Sequence, residues 1–196
     1  LRIPVALALV PLAYLLGTFP SAVMVARARG VDIMSEGSGN PGASNVARLL
    51  GAKWGAVVFF LDAVKGAVPA AAGLALDTRP GAYILVTAAV LGHMFPATRH
   101  FRGGKGVATM TGAMVTLHPI VSLVLLPVWV IVRKTTGKAS VASLALTVGL
   151  PVGIVISGAP PWEVAYVLAL CALVLVRHID NIKRLIARRE LSANSR

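Results

Sequence analysis

The stretch Val107-ATMTGAMVTL-His118-Pro119-IVSLVLLPVWVI-Val132 decides the fold. It runs for 26 residues without a lysine, arginine, aspartate or glutamate. It reads either as one kinked membrane span or as two short helices meeting at His118-Pro119, because proline in a helix interior removes a backbone hydrogen bond and clashes with the preceding turn. Working outward, further apolar runs occupy residues 3–26, 54–76, 81–97, 139–157 and 161–176. Their lengths suit helices crossing a hydrocarbon core of about 30 Å. The runs are continuous rather than alternating, which selects helices over a closed barrel. The first run is longer than a secretory core and reads as a retained span.

Arginine and lysine placement chooses between the two readings, since cytoplasmic loops carry the excess of both. With two short helices in 107–132 the chain has seven spans and an outside N-terminus. The cytoplasmic segments then hold Arg27, Arg29, Arg48, Lys53, Arg99, Arg102, Lys105, Arg133, Lys134 and Lys138. The cytoplasmic C-terminal tail adds Arg177, Lys183, Arg184, Arg188, Arg189 and Arg196, for 16 cations against only Arg2 and Arg79 outside. A single span would leave 7 inside and 11 outside. The expected fold is therefore an all-α integral membrane protein: a compact bundle of seven transmembrane helices forming one domain over 1–196. Segment 107–117 is short for a crossing and depends on burial beside its neighbours.

Composition agrees. Of 196 residues 57% are hydrophobic and 13% charged, with mean hydropathy +0.80. Soluble domains carry about 25% charged residues. The net charge of +12 does not indicate a nucleic-acid partner, because the cations are confined to short stretches between apolar runs. Cys171 is alone, which excludes an intrachain disulfide.

Two polar loops stand out against this background. Ser38-Gly-Asn-Pro-Gly-Ala-Ser-Asn45 offers side-chain donors at Ser38, Asn40, Ser44 and Asn45 beside turn-forming residues, and its backbone amides can bend around an anion. Arg48 follows Asn45 by three and shares its face if a helix begins near Ser44. A guanidinium there can bind phosphate through two parallel bonds. Locally, an ordinary loop with a cap at Ser44 or Asn45 would also fit. The second loop is Arg102-Gly103-Gly104-Lys105-Gly106. It lacks the full nucleotide pattern, with Val107 where serine or threonine should follow, so ATP is not expected. Small residues at a helix start nonetheless present N–H groups to phosphate, and Lys105 adds a full charge. A basic surface turn is the plainer alternative.

Further polar residues lie at or within the spans. Asp62 and Lys65 stand three apart inside the second run, where an isolated charge is expensive and a pair neutralises itself. They read as a structural pair, with Lys65 a substrate-binding candidate. His93 and His100 precede the glycines, His118 falls at the outer turn, and His178-Ile-Asp-Asn181 opens the tail. Ser140 and Ser143 begin the run at 139–157 and either cap a helix or line a site. No standard metal-ligand spacing links the histidines with Cys171, and neither metal nor cofactor is expected.

In order and spacing, these motifs resemble the integral-membrane glycerol-3-phosphate acyltransferases that use acyl-phosphate, the PlsY-type family. The resemblance runs through Ser38–Asn45 with Arg48, Asp62-Ala-Val-Lys65-Gly66, Gly92-His-Met-Phe-Pro96, Phe101–Thr109, Ser140–Ser143 and His178–Leu185. It implies a bacterial inner-membrane enzyme with its site at the cytoplasmic face. That enzyme forms lysophosphatidic acid and phosphate from acyl-phosphate and glycerol 3-phosphate. It works as a monomer in lipid, functionally linked to the enzyme supplying acyl-phosphate. The resemblance makes Ser38, Asn45, Lys105, His178 and Asn181 catalytic candidates. Asn40, Ser44, Arg48, Lys65, His93, Gly103, Gly104, Gly106, Ser140 and Ser143 are implied to bind substrate. Ser44 stands where the family often has threonine, and Arg188 where glycine is usual. A small organic-phosphate transporter is the rival class; the one-sided placement of polar motifs and the lack of a two-halved repeat count against it. A structural subunit would leave the glycines and amides unexplained.

Overall fold

A computed structural model describes residues 2–76 and 78–193; Leu1, Asp77 and residues 194–196, including Arg196 of the tail charge, lie outside the described residues. Among the described residues every regular element is helical. The elements are α1 (Arg2–Thr18), α2 (Ser21–Arg27), α3 (Ala43–Leu50), α4 (Ala52–Ala75), α5 (Arg79–Met94), α6 (Val107–Leu117), α7 (Pro119–Thr136), α8 (Ala139–Ile156), α9 (Pro161–Arg177) and α10 (Ile179–Ile186), with a short 3-10 turn at Ala97–Arg99. The helix break falls at His118-Pro119. Pro119 occupies the first position of α7, where its missing N–H costs nothing.

Among the described residues five stretches are long and apolar enough to cross a membrane: Ile3–Arg27, Ala52–Ala75, Arg79–Arg99, Pro119–Thr136 and Ala139–Ile156. The pair α9–α10, bent by 57°, makes a sixth if taken as one span. The difference from the seven expected spans lies at α6. Its 11 residues extend only about 17 Å at 1.5 Å per residue, short of a core of about 30 Å. The first run is also not a single helix. Pro20 interrupts it, and α1 and α2 meet at Phe19-Pro20.

The chain divides into two compact units, Leu1–Leu117 and His118–Arg196. In the first unit, glycines let helix backbones touch. A Cβ on Gly17 would overlap the carbonyl of Ala89, and one on Gly92 that of Tyr14, so α1 and α5 meet at main-chain distance. Gly66 faces the Thr109 carbonyl and Gly112 that of Ala63, which seats α6 directly on α4. Gly73 meets Ala82 of α5 in the same way. Helices in lipid have no hydrophobic drive toward one another, so close approach at small residues supplies the dispersion contact that holds them.

The second unit packs α8 against α7 and α9, and Leu150 and Ile154 of α8 and Val167, Leu170 and Val174 of α9 are buried. Ile120 and Ile156, 77% and 80% exposed, point outward as lipid-facing residues do. His118, preceding α7, lies with Nε2 3.1 Å from Glu163 Oε2 in the first turn of α9. His178 ends α9, so these two histidines mark opposite ends of that helix.

Candidate active site

The first polar loop closes on Asn45, which is buried at the start of α3. Its Oδ1 accepts from Ser38 N at 2.9 Å and from Arg48 Nη1 at 3.0 Å. Its Nδ2 donates to Glu36 O at 3.0 Å and to Ile33 O at 3.4 Å. One amide therefore ties the loop's entrance, its turn and the guanidinium together. Gly37 takes φ +62°, and a Cβ there would strike Asn45 Oδ1. The N-cap of α3 is Gly42, and no side chain caps it. Ser44 is exposed, while Ser38 and Asn40 are half-buried, and Ser38 Oγ accepts from Asn40 N at 3.4 Å.

The glycine loop is folded back on the end of α5. Gly104 N donates to His93 O at 3.1 Å. A Cβ on Gly103 would meet the carbonyls of His93 and Met94, and one on Gly104 the His93 ring. Close approach, more than flexibility, is what these glycines supply, and the Gly104 amide is directed into the protein. Ahead of them His100 and Phe101 adopt φ of 50° and 60°, in the left-handed region uncommon for residues with a side chain. Tyr14 fixes the loop's beginning: its hydroxyl donates to Phe95 O at 2.7 Å and accepts from Ala97 N at 3.0 Å. Tyr14 was not among the residues singled out in the sequence, since a lone tyrosine in an apolar run carries no motif.

Beneath this loop lies the buried pair of α4. Lys65 Nζ contacts Asp62 Oδ1 at 2.6 Å, Phe19 O at 2.6 Å and Ser21 Oγ at 3.0 Å. Ser21 Oγ in turn donates to Asp62. An ammonium has three protons to donate, and all three have acceptors inside the protein. His93 Nδ1 stands 3.8 Å from Asp62 Oδ1.

In the second unit, His178 sits at the bend between α9 and α10, 3% exposed. Its Nδ1 lies 2.8 Å from Val174 O. A carbonyl only accepts, so Nδ1 carries the proton and Nε2 is the basic nitrogen. Asn181 Nδ2 donates to Glu190 Oε1 at 2.6 Å, and Arg184 Nε donates to Glu190 Oε2 at 2.9 Å. Burial works to raise the Glu190 carboxyl, but hydrogen bonds from Asn181 and Arg184, with the Ser140 hydroxyl close by and the Arg184 charge, outweigh it and hold it below its usual value. Ser140 Oγ is close enough to act on the carboxylate, although it makes no hydrogen bond of good geometry. Ser143 Oγ accepts from Trp129 Nε1 at 3.4 Å. Glu190 organises this group, and sequence reasoning passed over it because it stands among tail cations. Ala193 N donates to Gly137 O at 2.7 Å, tying the tail to the α7–α8 turn. Among the described residues no group of three or more histidine, cysteine, aspartate or glutamate side chains is arranged to hold a metal.

Thus the structure joins Ser38, Asn45 and Arg48 in one network. Lys65, His93, Gly103 and Gly104 lie together in another, and Ser140 and Asn181 meet around Glu190. A family model described as glycerol-3-phosphate acyltransferase matches residues 7–188. The chain belongs to this family. Glycerol-3-phosphate acyltransferase from Aquifex aeolicus is 39% identical over 187 residues, covering 94% of this chain and 97% of the relative. That of Shewanella woodyi is 42% identical over 182 residues, covering 89% and 86%. Among solved structures, the crystal structure of PlsY (YgiH), an integral membrane glycerol 3-phosphate acyltransferase, in its glycerol 3-phosphate form matches with a TM-score of 0.90 at 38% identity, covering 95% of this chain and 94% of that one. Its lysophosphatidic acid form matches with a TM-score of 0.88. As a member of the family the chain is a multi-pass membrane acyltransferase.

Proposed function

We propose that this enzyme transfers a fatty acyl group from acyl-phosphate to the sn-1 hydroxyl of glycerol 3-phosphate, giving lysophosphatidic acid and inorganic phosphate for phospholipid biosynthesis. The observation that carries the reading is the likeness, over 95% of the chain, to an acyltransferase solved in glycerol 3-phosphate and lysophosphatidic acid forms. Acyl-phosphate is a mixed anhydride with a good leaving group, so no acyl-enzyme is required. The substrate hydroxyl oxygen attacks the acyl carbon, the carbon–oxygen bond to phosphate breaks, and phosphate departs with the bonding pair. The protein's contribution is alignment and charge stabilisation.

In this scheme Arg48 and Lys105 grip phosphate groups, with Asn40, Ser44 and the Gly103–Gly106 backbone other than the Gly104 amide, which is held by His93 O, assisting. Ser38, Asn45, His178 and Asn181 orient reacting oxygens, with Ser140 and Ser143 on the substrate side. The hydroxyl proton goes either to a phosphate oxygen of the substrate or to His178 Nε2. The working enzyme is one domain and a monomer. It has seven crossings, an outside N-terminus and its site at the cytoplasmic face of the bacterial inner membrane, supplied by an acyl-phosphate-forming enzyme. The 16-to-2 distribution of cations supports that orientation.

The deciding experiment offers purified protein in lipid each acyl donor separately with glycerol 3-phosphate. Lysophosphatidic acid and phosphate in equal amounts from acyl-phosphate, without metal, ATP, acyl-CoA or acyl carrier protein, is the expected result. Activity with acyl-CoA alone would overturn it. Uptake of glycerol 3-phosphate into sealed vesicles without acylation would favour a transporter. H178A keeps some turnover if substrate phosphate takes the proton and falls to background if the histidine does.

A further inference from the structure

We infer that Ser21, Asp62 and Lys65 form a buried positioning hub. It holds the α1–α2 break and, through His93, the glycine loop, and so governs turnover without touching substrate; this rests on the acyltransferase reading above. Asp62 and Lys65 are 1% and 3% exposed in a membrane-spanning helix, where burying two charges carries a large desolvation cost. A pair serving only to neutralise itself needs one contact. This one reaches further. Lys65 also binds Phe19 O, a carbonyl at the point where Pro20 interrupts the first span, and from there α2 leads into the loop that Asn45 closes. With all three ammonium protons committed internally, Lys65 has a role in shape rather than in substrate contact.

The same segment supports the glycine loop from both sides. On the entering side His93 lies 3.8 Å from Asp62, its carbonyl takes the Gly104 amide, and its ring fills the space that a Gly104 side chain would need. On the leaving side Gly66, next to Lys65, touches the Thr109 carbonyl in the first turn of α6, and Gly112 touches Ala63. Residues 62–66 are thus the floor on which the loop containing Lys105 rests. A shift of about 1 Å in such a support costs on the order of 100-fold in rate.

The test is the double variant D62N/K65M, which removes both charges while roughly preserving volume, so that no unpaired charge is left to prevent folding. The expected result is a folded, lipid-reconstituted enzyme whose kcat falls about 10- to 100-fold, with KM for glycerol 3-phosphate less affected. Amide exchange should quicken in residues 19–27 and 95–106 and stay unchanged across α7–α9. Wild-type kcat in the folded variant, or exchange that quickens evenly through every helix, would overturn the hub. Wild-type enzyme inactive with acyl-phosphate would remove the acyltransferase reading instead, and the exchange pattern alone would then decide whether the hub holds the loop.

Discussion

Replacing Asn45 by alanine tests whether the first polar loop is held in shape by one side chain. The substitution deletes three good hydrogen bonds, to Ser38 N, Glu36 O and Arg48, at 2.9, 3.0 and 3.0 Å, and a longer one to Ile33 O. Taking about 1 kcal/mol net for each of the three gives about 3 kcal/mol. At 1.4 kcal/mol per tenfold, that shifts the balance between closed and open loop by roughly 150-fold. The helices should be unaffected, because the lost bonds lie in residues 33–48 and not in the glycine contacts that join α1, α4, α5 and α6. Steady-state kinetics with synthetic acyl-phosphate, combined with amide exchange, would report both levels. We expect kcat/KM for glycerol 3-phosphate to fall by about 10- to 150-fold, with faster exchange confined to residues 33–42. An N45A enzyme with wild-type kinetics and wild-type protection in that segment would refute the reasoning. N45D separates the two halves of the network. It keeps the acceptor for Ser38 N and Arg48 but sets a carboxylate against the carbonyls of Ile33 and Glu36, so it should also fail to close the loop.

Arg48→Ala should chiefly raise KM for glycerol 3-phosphate and Lys105→Ala should lower kcat as well, each by roughly 10- to 150-fold for a lost charge-assisted bond; Arg48→Lys should rescue only in part, because the planar two-pronged geometry is lost. Normal kinetics in both alanine variants would displace the anion site. Cysteines placed at Thr78 and near Pro119 should react with an impermeant thiol reagent outside intact cells, and ones at Ser44 and Thr136 should not; outside labelling at Thr136 would return 107–132 to a single span. Because the Glu190 carboxyl is held below its usual value, its contribution to stability is present above the ordinary carboxylate pKa of about 4.3 and is lost as pH falls through the lower folded value. Thermal unfolding in detergent should therefore show Glu190→Gln less stable than wild type at neutral pH, with the difference closing on acidification. A constant difference down to acid pH would contradict that.

The sequence by itself determined the helical membrane class, because continuous apolar runs act locally, and it marked His118-Pro119, where the placement of arginine and lysine chose two helices over one kinked span. It also marked both polar loops, since glycine, small amides and lone cations are conspicuous in a chain of this composition. Which partners those residues take was decided only by the folded loops and helix contacts. Asn45 reads as one of four side-chain donors in the loop, and in the fold its amide is engaged with Ile33, Glu36, Ser38 and Arg48. Gly103 and Gly104 read as small residues presenting N–H groups, and in the fold the end of α5 occupies the space where side chains would go. Lys65 had a visible partner at Asp62, but Phe19 and Ser21, more than 40 residues away, take its other protons. Tyr14 and Glu190 carried no local signal, because a hydroxyl in an apolar helix and a carboxylate in a basic tail acquire their roles only when folding brings Phe95 and Asn181 to them. Periodicity and composition report the solvent a segment prefers. Hydrogen-bond partners are chosen by the approach of backbones, and in this protein glycines at helix contacts set that approach.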